Sequence, residues 1–254
     1  MNCHCSLIFG VFFYIMMPMK NVKALFIDCD GVLYDKEACT YHDIAIIAFG
    51  KALDALNIPR EEVPPTRARL KAKGVHGLLN AALALCQERH IDFNVFADVM
   101  AQNTDYNRIP KDVDMLRLLR ECGAKVPIYI VTNNTAPHLQ NILNCLNGGK
   151  IQSTEDLKIH LITIEDTLRD GVFFPKKAEG QLPYLCAQIG EKPEDVLLLD
   201  DTQDVCDAAL AQGLQVAFVG KPCDTKAILR RIIHEKSRSK RAVSVRKTRG
   251  RAGR

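Results

Sequence analysis

Ala24-Leu25-Phe26-Ile27-Asp28-Cys29-Asp30-Gly31-Val32-Leu33-Tyr34-Asp35 runs an apolar stretch straight into two carboxylates one residue apart, then a glycine. An uninterrupted apolar run reads as a strand covered on both faces, the pattern of a parallel sheet in an α/β protein. Ligands of such sheets gather beyond the carboxyl ends of the strands, so Asp28 and Asp30 fall where chemistry is expected. Two like charges this close are unfavourable unless hydrogen bonds, a proton or a cation offset them, and a divalent metal suits a cluster of carboxylate oxygens. An EF-hand calcium loop also opens Asp-x-Asp. It needs a further ligand before its glycine and a helix in front, whereas Gly31 follows Asp30 directly after a strand. The alternative that assigns no chemistry is a polar strand-to-loop turn with a glycine for its backbone freedom.

Partners for the pair belong at the ends of later strands. Pro127-Ile128-Tyr129-Ile130-Val131 is a second buried run, ending in Thr132-Asn133-Asn134-Thr135 and leading into a helical stretch from Pro137 to Leu146. Val196-Leu197-Leu198-Leu199 is a third, ending in Asp200-Asp201-Thr202, with Asp204 entering an alanine-rich helix over Cys206 to Ala211. Between them, Phe173-Phe174-Pro175-Lys176-Lys177 brings ammonium groups ahead of a helix over Gln181 to Ile189, placed to meet a phosphate. Singly these are weak signals, since a threonine after a strand is usually a good strand former and a lysine pair is usually solvated.

The order Asp-x-Asp, Thr, Lys, Asp-Asp over residues 23 to 222 resembles the haloacid dehalogenase superfamily of phosphohydrolases. The resemblance implies an α/β, Rossmann-like parallel sheet with helices on both faces and an inserted all-helical cap. It makes Asp28 the nucleophile that forms an aspartyl-phosphate and Asp30 the acid and base. It assigns Mg²⁺ to Asp28, the backbone carbonyl of Asp30, and Asp201 or Asp200, with Thr132, Asn133 and a lysine on the phosphate oxygens. Relatives that displace halide from carbon need no leaving-group acid, so an aspartate at position 30 favours a phosphatase or phosphomutase. Two positions depart from the family pattern. Its lysine motif usually reads Lys-Pro; counting back from Gly190 selects Lys176, with Lys177 as runner-up. Its last acidic position falls on Val205, with Asp204 one residue early, which leaves Asp201 as the safer ligand.

Tyr41 to Asn57, Arg60 to Lys71, Gly77 to Arg89 and Phe93 to Gln102 carry apolar residues at helical spacing. They fill residues 37–114, where the family places a lid that excludes water and selects the leaving group. The core is expected over 20–36 and 115–229. Asp28 to Tyr34, Thr132-Asn133 followed by His138, and Asp200-Asp201-Thr202 look most like the pyrimidine 5′-nucleotidase branch. Sugar-phosphate and phosphoglycolate phosphatases stay open. The substrate class is a small phosphorylated metabolite.

The chain has 254 residues, 47% hydrophobic and 25% charged, ample for one capped α/β unit without repeats. Its ten cysteines lack paired zinc spacing and sit in apolar segments, which suits reduced thiols and the cytoplasm. Leu7 to Met19 is too short for a comfortable membrane span and lacks a basic flank, so residues 1–19 read as an apolar leader or a misassigned start at Met17 or Met19. Residues 230–254 hold eleven Lys or Arg against one acid, a net +10 in a chain of +4, leaving −6 before them. That composition reads as a disordered tail for nucleic acid or an anionic surface, or as a solvated extension. The intact acidic set argues against a catalytically inert interaction module. Oligomeric state is not legible.

Overall fold

The structure, a computed structural model, describes residues 21–251, with side chains described through Arg238. The leader expected at residues 1–19 lies outside the described residues, as do residues 252–254. Among the described residues there are seven strands: β1 (Ala24–Ile27), β2 (Ile128–Val131), β3 (Ile159–Ile162), β4 (Leu168–Arg169), β5 (Val172–Phe173), β6 (Val196–Asp200) and β7 (Gln215–Phe218). Five of them form a parallel sheet in the order β3-β2-β1-β6-β7, and β4 and β5 make a separate antiparallel hairpin. The order reverses between β1 and β6, so the carboxyl ends of these neighbours mark the crevice where doubly wound sheets bind ligands.

The helices are α1 (Tyr41–Ala55), α2 (Val63–Lys71), α3 (Leu78–Glu88), α4 (Phe93–Gln102), α5 (Val113–Gly123), α6 (Ala136–Leu146), α7 (Thr154–Leu157), α8 (Gln181–Gln188), α9 (Gln203–Ala211) and α10 (Pro222–Arg251). Alternating side chains of the strands divide between them. Leu25, Ile27, Ile128, Ile130, Leu197 and Leu199 pack with α5, α6 and α10 on one face. Ala24, Phe26, Val131, Val196 and Leu198 pack with α8 and α9 on the other. Covering both faces removes the need for polar alternation, which is why these strands read as unbroken apolar runs. Each fully buried Leu, Ile or Phe contributes roughly 1.5–3 kcal/mol.

Helices α1 to α4 build a separate cluster around Phe49, Leu53, Leu85 and Phe96, joined by Ile164 and Phe173 from beyond the sheet. All four stand within the expected helical segments; α2 is preceded by a 3₁₀ turn at Arg60–Glu62, and Pro64 and Pro65 sit in its first turn, where a proline costs no backbone bond.

The basic tail expected to be disordered from residue 230 differs: its backbone is helical through Arg251. Leu229 and Ile232 are buried against α5 and the sheet, Arg231 pairs with Glu235, and Lys125 donates to the Ser237 hydroxyl at 3.0 Å. A nucleated helix propagates cheaply through good helix formers such as Lys, Arg and Ala, which composition alone does not register. Among the described residues no helix is long and apolar enough to cross a membrane.

Candidate active site

Sheet register assembles the site. β1 pairs with β6 with Ile27 opposite Leu199, which sets Asp28 beside Asp200. The Asp28 amide donates to the Leu199 carbonyl at 2.9 Å and extends that ladder. Lys176 reaches in from the loop after the β4–β5 hairpin, its Nζ 2.6 Å from both Asp28 Oδ1 and Asp200 Oδ2. Lys176 and Asp200 are almost wholly buried. An ammonium shared between two carboxylates is tolerable there because each charge has a partner. Burial is the largest influence on the Asp28 carboxyl and lifts it to about 7; Lys176 pulls it back, while Asp200 and Asp30 push it further up. Burial works against charge on Lys176, but the two aspartates outweigh it and hold the ammonium above its ordinary range.

Of the two adjacent lysines, Lys176 is the one whose ammonium reaches the carboxylates at the strand ends. Lys177 instead lines a neighbouring hollow. Asn133 Oδ1 accepts the Lys176 backbone N–H at 2.9 Å, so this residue, expected on the phosphate, holds the lysine loop. Thr132 is buried at the end of β2 beside β1, and its Oγ1 accepts the Asn134 N–H at 3.1 Å.

Asp30 has a different set of partners. Its Oδ1 accepts from the Tyr34 hydroxyl at 2.5 Å and lies 3.0 Å from His138 Nε2, and its Oδ2 accepts from Asn134 Nδ2 at 2.6 Å. His138 Nδ1 meets the hydroxyls of Tyr41 at 3.2 Å and Tyr106 at 3.1 Å. Burial alone would raise the Asp30 carboxyl; His138 beside it, with Tyr34 and Asn134 donating, overcomes that and lowers it to about 2. The two carboxylates flanking Cys29 are thus driven in opposite directions: without a cation the surroundings favour a proton on Asp28 over one on Asp30, the reverse of a nucleophile–acid pair, and a cation held by Asp28, Asp200 and Asp201 would favour the ionised form of Asp28.

Gly31 makes the turn between these groups at φ +86°, and a Cβ there would come within 2.1 Å of Asp201 Oδ2. Asp201 in turn pairs with Lys36 Nζ at 2.6 Å. One oxygen from each of Asp28, Asp200 and Asp201 lies within 4.8 Å of the others, a hard-oxygen donor set of the kind Mg²⁺ takes. The Asp30 carboxylate stands outside that set. Asp204 is exposed in the first turn of α9 while Val205 is buried, so neither adds a ligand oxygen there.

The family model for haloacid dehalogenase-like hydrolases matches residues 22–213. The chain belongs to the haloacid dehalogenase-like hydrolases. No curated protein matches it significantly. Solved structures of similar fold include CbbY from Rhodobacter sphaeroides in complex with phosphate, at 17% identity and TM-score 0.48, covering 77% of this chain and 84% of that one. The HAD-hydrolase YfnB from Bacillus subtilis bound to magnesium shows 16% identity and TM-score 0.48, over 83% and 99%. A predicted phosphoglycolate phosphatase from Haemophilus somnus shows 21% identity and TM-score 0.45, over 78% and 85%.

In this haloacid dehalogenase-like hydrolase the motif residues Asp28, Asp30, Thr132, Lys176, Asp200 and Asp201 all stand at one end of the sheet. The motifs miss Lys36 and the supporting roles of Tyr34, Asn134, Tyr41 and Tyr106. His138 entered only through the nucleotidase-like pattern. These side chains come from 4 to 108 residues away from Asp30, and no local spacing announces them.

Proposed function

We propose that the chain is a Mg²⁺-dependent phosphomonoester hydrolase working through an aspartyl-phosphate on Asp28. The observation that carries this reading is Lys176 bridging Asp28 and Asp200 while Asp30 is held apart by its own donors. Asp28 is the nucleophile on phosphorus, and Lys176 orients its carboxylate and offsets charge as the phosphoryl group arrives. Asp30 protonates the departing alkoxide and then takes a proton from the water that opens the acyl-phosphate. Asp28, Asp200 and Asp201 fit a Mg²⁺ ion, which would neutralise charge on the transferring group. The Thr132 hydroxyl is assigned to a phosphate oxygen, and Asn133 acts through the lysine loop. A nucleoside 5′-monophosphate is the leading substrate among small phosphorylated metabolites.

The test is Mg²⁺-dependent phosphate release from nucleoside monophosphates, sugar phosphates and 2-phosphoglycolate. Asp28→Asn is expected to abolish release and the alkali-labile phosphoprotein formed by rapid quench. Release that persists in a folded Asp28→Asn protein would sink the covalent mechanism.

A further inference from the structure

Beside the acidic cluster lies a hollow of about 390 Å³ between α1, α3 and the Asn133–Asn134 turn. Its walls are Ile46, Phe49, Leu78, Leu79 and Phe173. Asn80 also lines it, but its side chain is committed to the backbone of Phe173, accepting its N–H at 2.8 Å and donating to its carbonyl at 2.9 Å, and to the His76 carbonyl. The remaining polar liners include His42, His76 and Lys177, all exposed at its edge. A second hollow of about 600 Å³ contains Asp30, Lys36 and Tyr41, and His42 and Ala45 line both.

Resting on the phosphatase reading, we infer that the first hollow receives the organic half of the phosphomonoester, and that this half is a largely uncharged, ring-bearing group. Asn134 joins the two halves of the site, lining the hollow while donating to Asp30. A leaving group seated there presents its ester oxygen toward the acid. Allowing about 30 Å³ for each water-sized group, the hollow holds about a dozen heavy atoms. A two-carbon acid would leave most of that space as water against Phe49, Leu79 and Phe173. Ile46 is apolar yet 51% exposed at this wall, surface that an apolar ligand would cover. A nucleoside base or an aryl ring fits this chemistry; glycolate and open-chain polyols do not.

The experiment has two arms. In the first, the wild-type protein is titrated calorimetrically with 1-naphthol and with glycolate, which need no phosphoryl chemistry. Naphthol is expected to bind at least tenfold more tightly, and Ile46→Glu to erase the difference. In the second, 1-naphthyl phosphate is expected to exceed 2-phosphoglycolate at least tenfold in kcat/KM. Equal binding of the two alcohols, or naphthol binding indifferent to Ile46→Glu, overturns the inference. Naphthol binding with no phosphate release from any ester leaves the hollow assigned and overturns the phosphatase.

Discussion

Gly31 meets two demands at once: a left-handed backbone, and the absence of a side chain where Asp201 packs. Gly31→Ala is expected to cost at least about 1 kcal/mol from the backbone alone. It should also push Asp201 aside, so Mg²⁺ binding to the substrate-free protein, read by calorimetry, should weaken. Unchanged affinity would remove Asp201 from the ligand set. Lys176 makes the opposite case, a charge that stands only because its partners do. Lys176→Met leaves Asp28 and Asp200 buried side by side without their cation, and a loss of about 3 kcal/mol in urea unfolding is expected, together with loss of phosphate release.

Legibility varies among the elements for physical reasons. β1, β2 and β6 are covered on both faces and announce themselves as apolar runs. β3 and β7 lie at the edges of the sheet; His160 interrupts the apolar run of β3, and β7, though apolar over Val216 to Val219, ends in no carboxylate or hydroxyl that would mark it. The β4–β5 hairpin has two residues per strand, below the length at which periodicity exists. In the site, the carboxylates at strand ends were readable, whereas the His138 relay depends on α6 packing near the start of α1. Helix packing also governs the thiols. Cys122 in α5 and Cys186 in α8 face opposite sides of the sheet, and burial pushes each up to about 12 from 9.0. A folded-state value raised above the unfolded one gives stability that is full below pH 9 and is lost as pH rises toward 12. The Cys122→Ala/Cys186→Ala protein should therefore show a smaller drop in urea midpoint between pH 7 and pH 10.5 than the wild type. An equal drop would show that these thiols do not set the alkaline limit.

For the whole molecule, charge is segregated: residues 1–229 carry −6 and residues 230–254 carry +10. Residues 239–254 carry seven Lys or Arg and no acid. A chain ending at Arg238 is expected to elute from heparin at markedly lower salt while releasing phosphate at an unaltered rate. Undiminished heparin retention would place the anion contact elsewhere. The hairpin tying the helical cluster to the sheet has a different reach. Phe173 is clamped by Asn80 of α3, and Lys176, three positions on, is clamped by Asn133 of the sheet end. So short a tether leaves almost no slack. The hairpin is thus a drawbar, hitching the packing of the four helices to the backbone that carries Lys176.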